Sequence, residues 1–503
     1  MALPLMALVL PGSAQLAAGS RRLGKWAMRL LIPFEVIVLV LLLLFLLNRS
    51  WLLSLGTSPF VLSIATNMTW LTVIKWLIAV PLVCWGLLIL DAWRLASPGK
   101  MTWPGRIITG VISLVLAFAF FWVSWFVFST ISTTTKTVET VFTGTGPLEV
   151  KAERYNILLI GADADADRVG IRPDTTIVAS VAADTGRTIL FSIPRNMQRL
   201  PFPKDSPLYK EYPDGFYCYD TRPTDPCMTN SIYTEAVNYA KKHKNAWPDD
   251  VDPGIEATRG AIAETLGLDI PYYAMVDIQG FEQLIDALGG VYITVNVEIG
   301  IGYSSKPSAW IKPGKNKHMN GYKALWFARS RTVRVNGEKG GSDYGRMERQ
   351  KCLLNAIAKQ LDPATVLANF NAIAEAGQHN VKMNLPAEGI PQLLETAQKA
   401  KELPIESVNF MPPLIPKTYD PDFKKIRKIV KDTIAKSEAI DHPTATPTPT
   451  DSAGTATVTE PVASEAATTA AEPSPTSTKK KKSTPSPSSS TVTQTDDLSK
   501  VCS

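Results

Sequence analysis

Three apolar stretches stand in succession near the start of the chain, at about 30–47, 71–90 and 107–128. A helical bilayer crossing needs roughly 20 residues, so each is long enough to span, and residues 36–47 carry no polar side chain at all. Lys75 lies near one end of the second stretch, within snorkelling reach of the headgroups. The third becomes rich in Phe and Trp toward its far end, as side chains at an interface do. Buried core helices are the bland alternative, but three such stretches in a row with ordered charged flanks favour a membrane region.

The flanking charge gives a direction. Arg21, Arg22, Lys25 and Arg29 precede the first stretch, and Arg94, Lys100 and Arg106 separate the second from the third. The intervening first loop has only Arg49. Basic loops stay in the cytoplasm, so three crossings predict a multi-pass cell-membrane protein whose chain beyond about Ser129 is extracytoplasmic. A cleaved signal peptide within the first twenty residues is the minor alternative, since no basic segment opens the chain. The expected organisation is a cytoplasmic N-terminus (1–29), a membrane region (30–128), a globular domain (151–416), a helical extension (417–440) and a tail (441–503). The tail is dominated by Thr, Ser, Pro and Ala with a Lys479–Lys482 run, a composition that cannot bury enough apolar surface to fold by itself.

Net charge is +6, mild for 503 residues. With no zinc-finger spacing and no basic stripe interleaved with aromatics, nucleic acid is not an expected partner. Cys218, Cys227, Cys352 and Cys502 fall in the region predicted to lie outside, where disulfides persist. Cys218 and Cys227 flank a short Pro-containing loop that a bridge would suit. Cys352 with Cys502 is possible only by arithmetic, and connectivity stays open.

Within 151–416, short apolar runs with β-rich composition alternate with helical spacing. Strands are expected at 155–160, 175–182, 187–193, 272–276 and 291–297, the second and third joined as a hairpin by Asp184-Thr185-Gly186. Helices are expected at 255–266, 281–288, 320–327, 343–361, 364–376 and 387–401. This is an α/β domain with layered helices, and the hairpin makes its central sheet mixed.

Polar residues gather where these strands end, the usual ligand position in such sheets. Asp163 closes the first strand, Arg172 and Asp174 open the second, and Arg195 follows the third. Asp163 and Asp174 are the better metal-ligand candidates. Asp165 and Asp167 read as a solvated acidic loop, and an EF-hand fails because neither its glycine nor its final glutamate is in place. A denser cluster spans 328–350. Arg329 and Arg331 are expected to alternate in an extended stretch and share a face, and Asp343 sits where a helix cap belongs. Arg346 and Gln350 continue the apolar stripe Leu353, Leu354, Ile357. An arginine on that buried face needs an anionic partner, and clustered guanidinium forks suit a pyrophosphate. Pairing with Asp343 alone is the plainer alternative, and Arg334 and Arg349 are assigned to structural or exposed roles. The chain has no GxSxG elbow and no Walker A motif, which argues against a serine hydrolase and a nucleotide-using kinase.

Five segments in this order, NILLIGADAD, IRPDTTIVASV, TILFSIPRN, YYAMVDIQGFEQLIDALGGVYITV and MNGYKALWFARSR…SDYGRMERQ, make the chain from about Tyr155 to Pro416 resemble the LytR-CpsA-Psr family. The resemblance implies an α/β/α sandwich with a mixed central sheet behind the three transmembrane helices and a long apolar pocket. It implies a phosphotransferase that moves a glycopolymer, as a glycosyl phosphate, from a polyprenyl-pyrophosphate carrier to a muramic acid hydroxyl of Gram-positive peptidoglycan. By the same resemblance Asp163 and Asp174 hold Mg²⁺ (or Mn²⁺), and Arg172, Arg195, Arg329, Arg331, Arg346 and Gln350 serve the pyrophosphate. Asp343 orients those arginines and stands as base toward the acceptor; Asp343, Arg329, Arg331 and Arg346 form the implied catalytic set. Three departures from the family pattern are Pro173 for serine, Asn196 for aspartate and a longer gap between Arg331 and Asp343. The competing expectations are a polyprenyl-pyrophosphate hydrolase and a non-catalytic membrane-bound wall regulator.

Overall fold

A helix in lipid satisfies its backbone internally and turns apolar side chains outward, and the N-terminal part of the computed structural model does both. The structure describes residues 2–48, 68–96, 102–144, 146, 148–151, 153–163, 171–219, 225–302, 306–335, 337–360, 380–442, 496–497 and 502. Two short helices, α1 (Ala2–Val9) and α2 (Ser13–Ala17), precede three long ones, α3 (Arg21–Leu47), α4 (Met68–Leu95) and α5 (Trp103–Val141). The long helices contain candidate spans at Arg21–Leu44, Thr69–Leu95 and Trp103–Thr133; the second and third extend past the expected stretches at both ends, and the first starts earlier and ends three residues sooner. The first twenty residues pack against the bundle. Trp85 Nε1 donates to Ala7 O at 2.9 Å, and the buried Gln15 amide donates to Leu88 O at 2.9 Å and to Asp91 at 3.2 Å. Gly12 and Gly24 let the two chain segments cross where a Cβ on either would collide with the other's carbonyl.

After α5 the chain passes directly into β1 (Phe142–Gly144), then β2 (Arg154–Asp163), β3 (Arg172–Ala182) and β4 (Thr188–Ser192). The helices α6 (Ile232–Lys242) and α7 (Pro253–Leu266) follow, then β5 (Tyr272–Asp277) and α8 (Ile278–Ala287). Short strands come next: β6 (Val291–Val295), β7 (Glu298–Ile301), β8 (Ala309–Ile311) and β9 (Gly314–Met319). Then come α9 (Gly321–Arg329), β10 (Val333–Val335), β11 (Glu338–Gly340) and α10 (Asp343–Gln360). The domain closes with β12 (Val381–Pro386), α11 (Ile390–Lys401), β13 (Glu406–Asn409), α12 (Phe423–Asp441) and β14 (Asp496–Asp497).

The main sheet runs β1-β12-β5-β2-β3-β4-β13-β14. It is mixed, as the hairpin required: β2 pairs antiparallel with β3 and parallel with β5, and β4 pairs parallel with β13. Alternation along β2 sorts its side chains to two faces. Leu158 and Ile160 join Val178, Phe191 and the helices α6, α7 and α12 in the larger core. Leu159 faces the other way, toward Ile177, Leu190 and Leu354 of α10. Helices on both faces make the α/β/α sandwich.

Several expectations change. The 291–297 strand stays out of the main sheet and pairs with β9 in a two-stranded ribbon. Helix 232–242 was hidden by its polar, lysine-rich sequence. The expected extension at 417–440 is a wall of the domain, because Ile426, Ile429 and Val430 of α12 are in the main core. The helix expected at 364–376, like Asp165, Asp167 and the Lys479–Lys482 run, lies outside the described residues. Both cysteine pairs are bridged, Cys218–Cys227 and Cys352–Cys502.

Phe191 is fully buried and stacks on Phe410 at 6.3 Å. Phe191→Ala should cost about 3–5 kcal/mol, read as a lowered urea midpoint of the detergent-solubilised chain followed by near-ultraviolet circular dichroism.

Candidate functional site

β2 and β3 bring their polar ends together: Asp163 pairs in register with Arg172, two residues before Asp174. Arg195 arrives from β4 through Ile193-Pro194. The first turn of α10 then lays Asp343 and Arg346 across this edge. The result is a closed ring of charge. Asp174 accepts from Arg195 Nη1 at 3.0 Å and from Arg346 Nη1 at 3.3 Å. Asp343 faces Arg346 Nη2 at 3.0 Å, Arg195 Nε at 3.5 Å and Arg331 Nε at 3.5 Å.

Burial governs the electrostatics. Burial acts to raise the Asp174 carboxyl, but Arg346 and Arg195 outweigh it and hold it below the ordinary carboxylate range. Burial lowers the Arg346 guanidinium, opposed by Asp343 and Asp174. Three guanidiniums meet two carboxylates here, so the ring carries one surplus positive charge. Arg329 stands on the wall of the adjoining cavity. Such a surplus at low exposure is suited to an anion.

The cavity lies between the sheet and α8, α9 and α10 and holds about 280 Å³. Leu159, Ile177, Val276, Phe281, Leu353 and Ile357 make its walls apolar, while Asp174, Arg329, Arg346 and Gln350 stand at its polar end. Gln350 also lines a smaller cleft beside Asp174 and Arg195. The arrangement suits an amphiphile with an apolar tail and an anionic head.

Among the predicted site residues, Asp174, Arg195, Arg331, Asp343 and Arg346 are joined in the ring, and Arg329 and Gln350 line the cavity. Arg172 is exposed at the strand's beginning and is not part of the cavity lining. The backbone of Asp163 is in place, and its side chain lies outside the described residues. Arg329 and Arg331 do not alternate on a strand. Arg329 ends α9 and Ser330 caps it, because the apolar spacing of Leu325, Trp326 and Phe327 carries the helix that far. Gly341, at φ 131, lets the returning chain pass against the Arg331 carbonyl. Arg334 stacks over Trp310 at 4.0 Å on the outer ribbon.

Of the two roles expected for Arg349, the structure shows the structural one. Its Nε donates to Phe327 O at 2.8 Å and its Nη2 to Ser330 O, binding α10 to the C-terminus of α9 from which Arg329 and Arg331 emerge. Burial, with Arg346 nearby, pulls its guanidinium down to about 10. The signal was available: an arginine three residues beyond the buried Arg346 shares its helix face.

For a hard divalent cation the donor chemistry fits, with Asp174 and the backbone-paired position of Asp163 at adjacent strand ends and phosphate oxygens to complete the shell. Asp174 would share its oxygens between that cation and the two arginines. Among the described residues, Cys218, Asp225 and Cys227 also converge, but the disulfide removes both sulfurs as ligands.

The model of the LytR_cpsA_psr family matches residues 126–414. A polyisoprenyl-teichoic acid–peptidoglycan teichoic acid transferase TagU of Bacillus mycoides is 26% identical over 237 residues, 47% of this chain and 62% of that protein. Biofilm regulatory protein A of Streptococcus mutans is 23% identical over 278 residues, 53% of this chain and 60% of that protein. The chain thus spans less than two thirds of the length of these curated relatives. The crystal structure of TagV from B. subtilis is similar at 22% identity and a TM-score of 0.37, covering 57% of this chain and 98% of that one.

Because the folded pKa of Asp174 lies below its ordinary 3.8, its ionised form contributes stability that is complete above about pH 4 and is lost as pH falls through the folded value. Asp174→Asn should flatten that acid limb. It should also cost about 3 kcal/mol at neutral pH, since Arg346 then loses one of its two carboxylates; unfolding midpoints measured against pH report both.

Proposed function

The chain belongs to the LytR-CpsA-Psr family, and from that premise we propose that it is a membrane-anchored phosphotransferase that attaches a glycopolymer to peptidoglycan from a polyprenyl-pyrophosphate carrier. The observation that carries this reading is one continuous site with an apolar cavity and an arginine-rich end. The polyprenyl tail occupies the cavity. Its pyrophosphate meets Arg195, Arg329, Arg331, Arg346 and Gln350, with Arg172 at the rim. The name of the B. mycoides relative supports a glycopolymer donor and a peptidoglycan acceptor.

In the proposed step, a muramic acid hydroxyl oxygen attacks the phosphorus that bears the glycan. A new P–O bond forms, the bond to the bridging oxygen breaks, and polyprenyl phosphate leaves. Negative charge grows on the leaving oxygen and the non-bridging oxygens, where guanidiniums fixed in advance stabilise it at little reorganisation cost. Asp343 fixes three of them and is the proposed acceptor of the hydroxyl proton. Arg346 is too buried to swing and serves as the fixed point, while Arg331, at 52% side-chain exposure, is free to close on the head group. Mg²⁺ or Mn²⁺, held by Asp174 and Asp163, would supply further charge neutralisation. In this reading the N-terminus is cytoplasmic and the residues after α5 lie outside, where peptidoglycan is, which the basic residues flanking the first and third spans support.

Arg331→Ala should lower transfer from a lipid-linked glycan at least about a hundredfold with an unchanged unfolding midpoint. Wild-type transfer by this variant would remove the assignment. Release of free glycan phosphate without a covalent glycan–peptidoglycan product would turn the reading to a hydrolase.

A further inference from the structure

The strand registers fix which end of the domain its membrane anchor enters. α5 runs without a break into β1, and it packs against both β1 and β12. Phe142 of β1 pairs with Met383, Met383 with Ala274, and Ala274 with Leu159 of β2. β1 is parallel to β12, which is antiparallel to β5, which is parallel to β2. β1 therefore runs opposite to β2. The end of the sheet at which the chain arrives from the membrane is the end at which β2 finishes, with Asp163, Asp174 and the arginine ring.

The lengths agree. From the level of Leu159 to Asp163 is four residues, about 13 Å of strand. The candidate span of α5 ends at Thr133, and nine residues of helix from there to Phe142 cover about 13.5 Å. Lys75, six residues inside the candidate span of α4, reaches this end of α5, its Nζ lying 3.3 Å from Ser132 Oγ. Were α5 to continue the line of β1, the site would lie level with the end of the span. Sideways it is three strands from β1, about 14 Å away. The exposed side chains there suit a phosphate-rich surface: Arg172, Arg331 at 52% and Tyr344 at 37% exposure.

We propose that the polar end of the cavity is docked on the headgroup layer of the outer leaflet, at a height set by the helical segment between Thr133 and Phe142. This deepens the functional reading and rests on it for the outer leaflet and the lipid-linked donor. A pyrophosphate then stays at headgroup level while its tail moves from bilayer to cavity, so the donor need not be lifted through water.

The test uses the full chain in phosphatidylglycerol-containing vesicles with headgroup-nitroxide lipid. A fluorophore is placed at Tyr344→Cys or, at the opposite end of the sheet, at Asp184→Cys, each in a Cys84→Ser background. Quenching is expected at 344 and absent at 184. An insert of eleven helix-forming residues after Thr135, about 16 Å and close to three turns, should abolish quenching at 344. It should also lower use of a long-chain polyprenyl donor at least tenfold while leaving a water-soluble short-chain donor equally used, which also reports that the insert folds. Equal quenching at both positions, or quenching at 344 that survives the insert, overturns the docking. If the unmodified chain uses neither donor, the transferase reading fails, and the quenching still decides the orientation.

Discussion

The guanidinium of Arg346 has 2% side-chain exposure between two carboxylates that come from different layers of the domain. Asp174 belongs to the sheet and Asp343 to the start of α10. Removing so large a cation from water costs several kcal/mol, and only paired, hydrogen-bonded geometry offsets that. The ring is therefore a positional constraint more than a source of stability. It holds α10 at one setting over the sheet, and Leu353 and Ile357, about two and three turns beyond Arg346, wall the cavity at a separation which that setting fixes. Replacing the ring by apolar side chains would close the domain more cheaply and leave no place for an anionic head group.

Much of this was legible in the sequence because two periodicities meet there. The apolar stripe of α10 pointed Arg346 and Gln350 into the interior, and elementary electrostatics then demanded an acidic partner. Asp343 could be named from its place at the helix start. The contact of Asp174 with Arg346 could not, since 172 positions separate the two residues and only the sheet brings them together. The hairpin of β3 and β4 was readable from β-rich runs about a tight turn. The small ribbons were not: β7, β8, β10 and β11 have three or four residues each, too few to show alternation. Arg329 was misread for a related reason. ARSR looks extended when taken alone, whereas the helix ahead of it persists because its buried face is not finished until Phe327.

The two apolar cores divide the work. The larger one, on the α6–α7–α12 face, is filled and contains Phe191, Phe216 and Phe410. The smaller one, built from α8, α9, α10 and the ribbons, stops short of the sheet. Close packing normally leaves few voids larger than a water molecule, so a space of about 280 Å³ between a well-filled sheet and a separately cored layer is a feature of the architecture. The ribbons give that second layer a core of its own, while Leu354 of α10 packs on Ile177 and Leu190 of the sheet.

The Cys352–Cys502 bridge joins α10, beside Gln350, to the far end of the chain across 150 residues, and β14 lies on the outer edge of β13. The described residues on both flanks of the Thr/Ser/Pro segment are thereby attached to the folded domain. A single proteolytic nick anywhere in that segment would release no fragment until the bridge is reduced. The helix carrying the arginines thus keeps its covalent tie to Cys502 even after that segment has been cut.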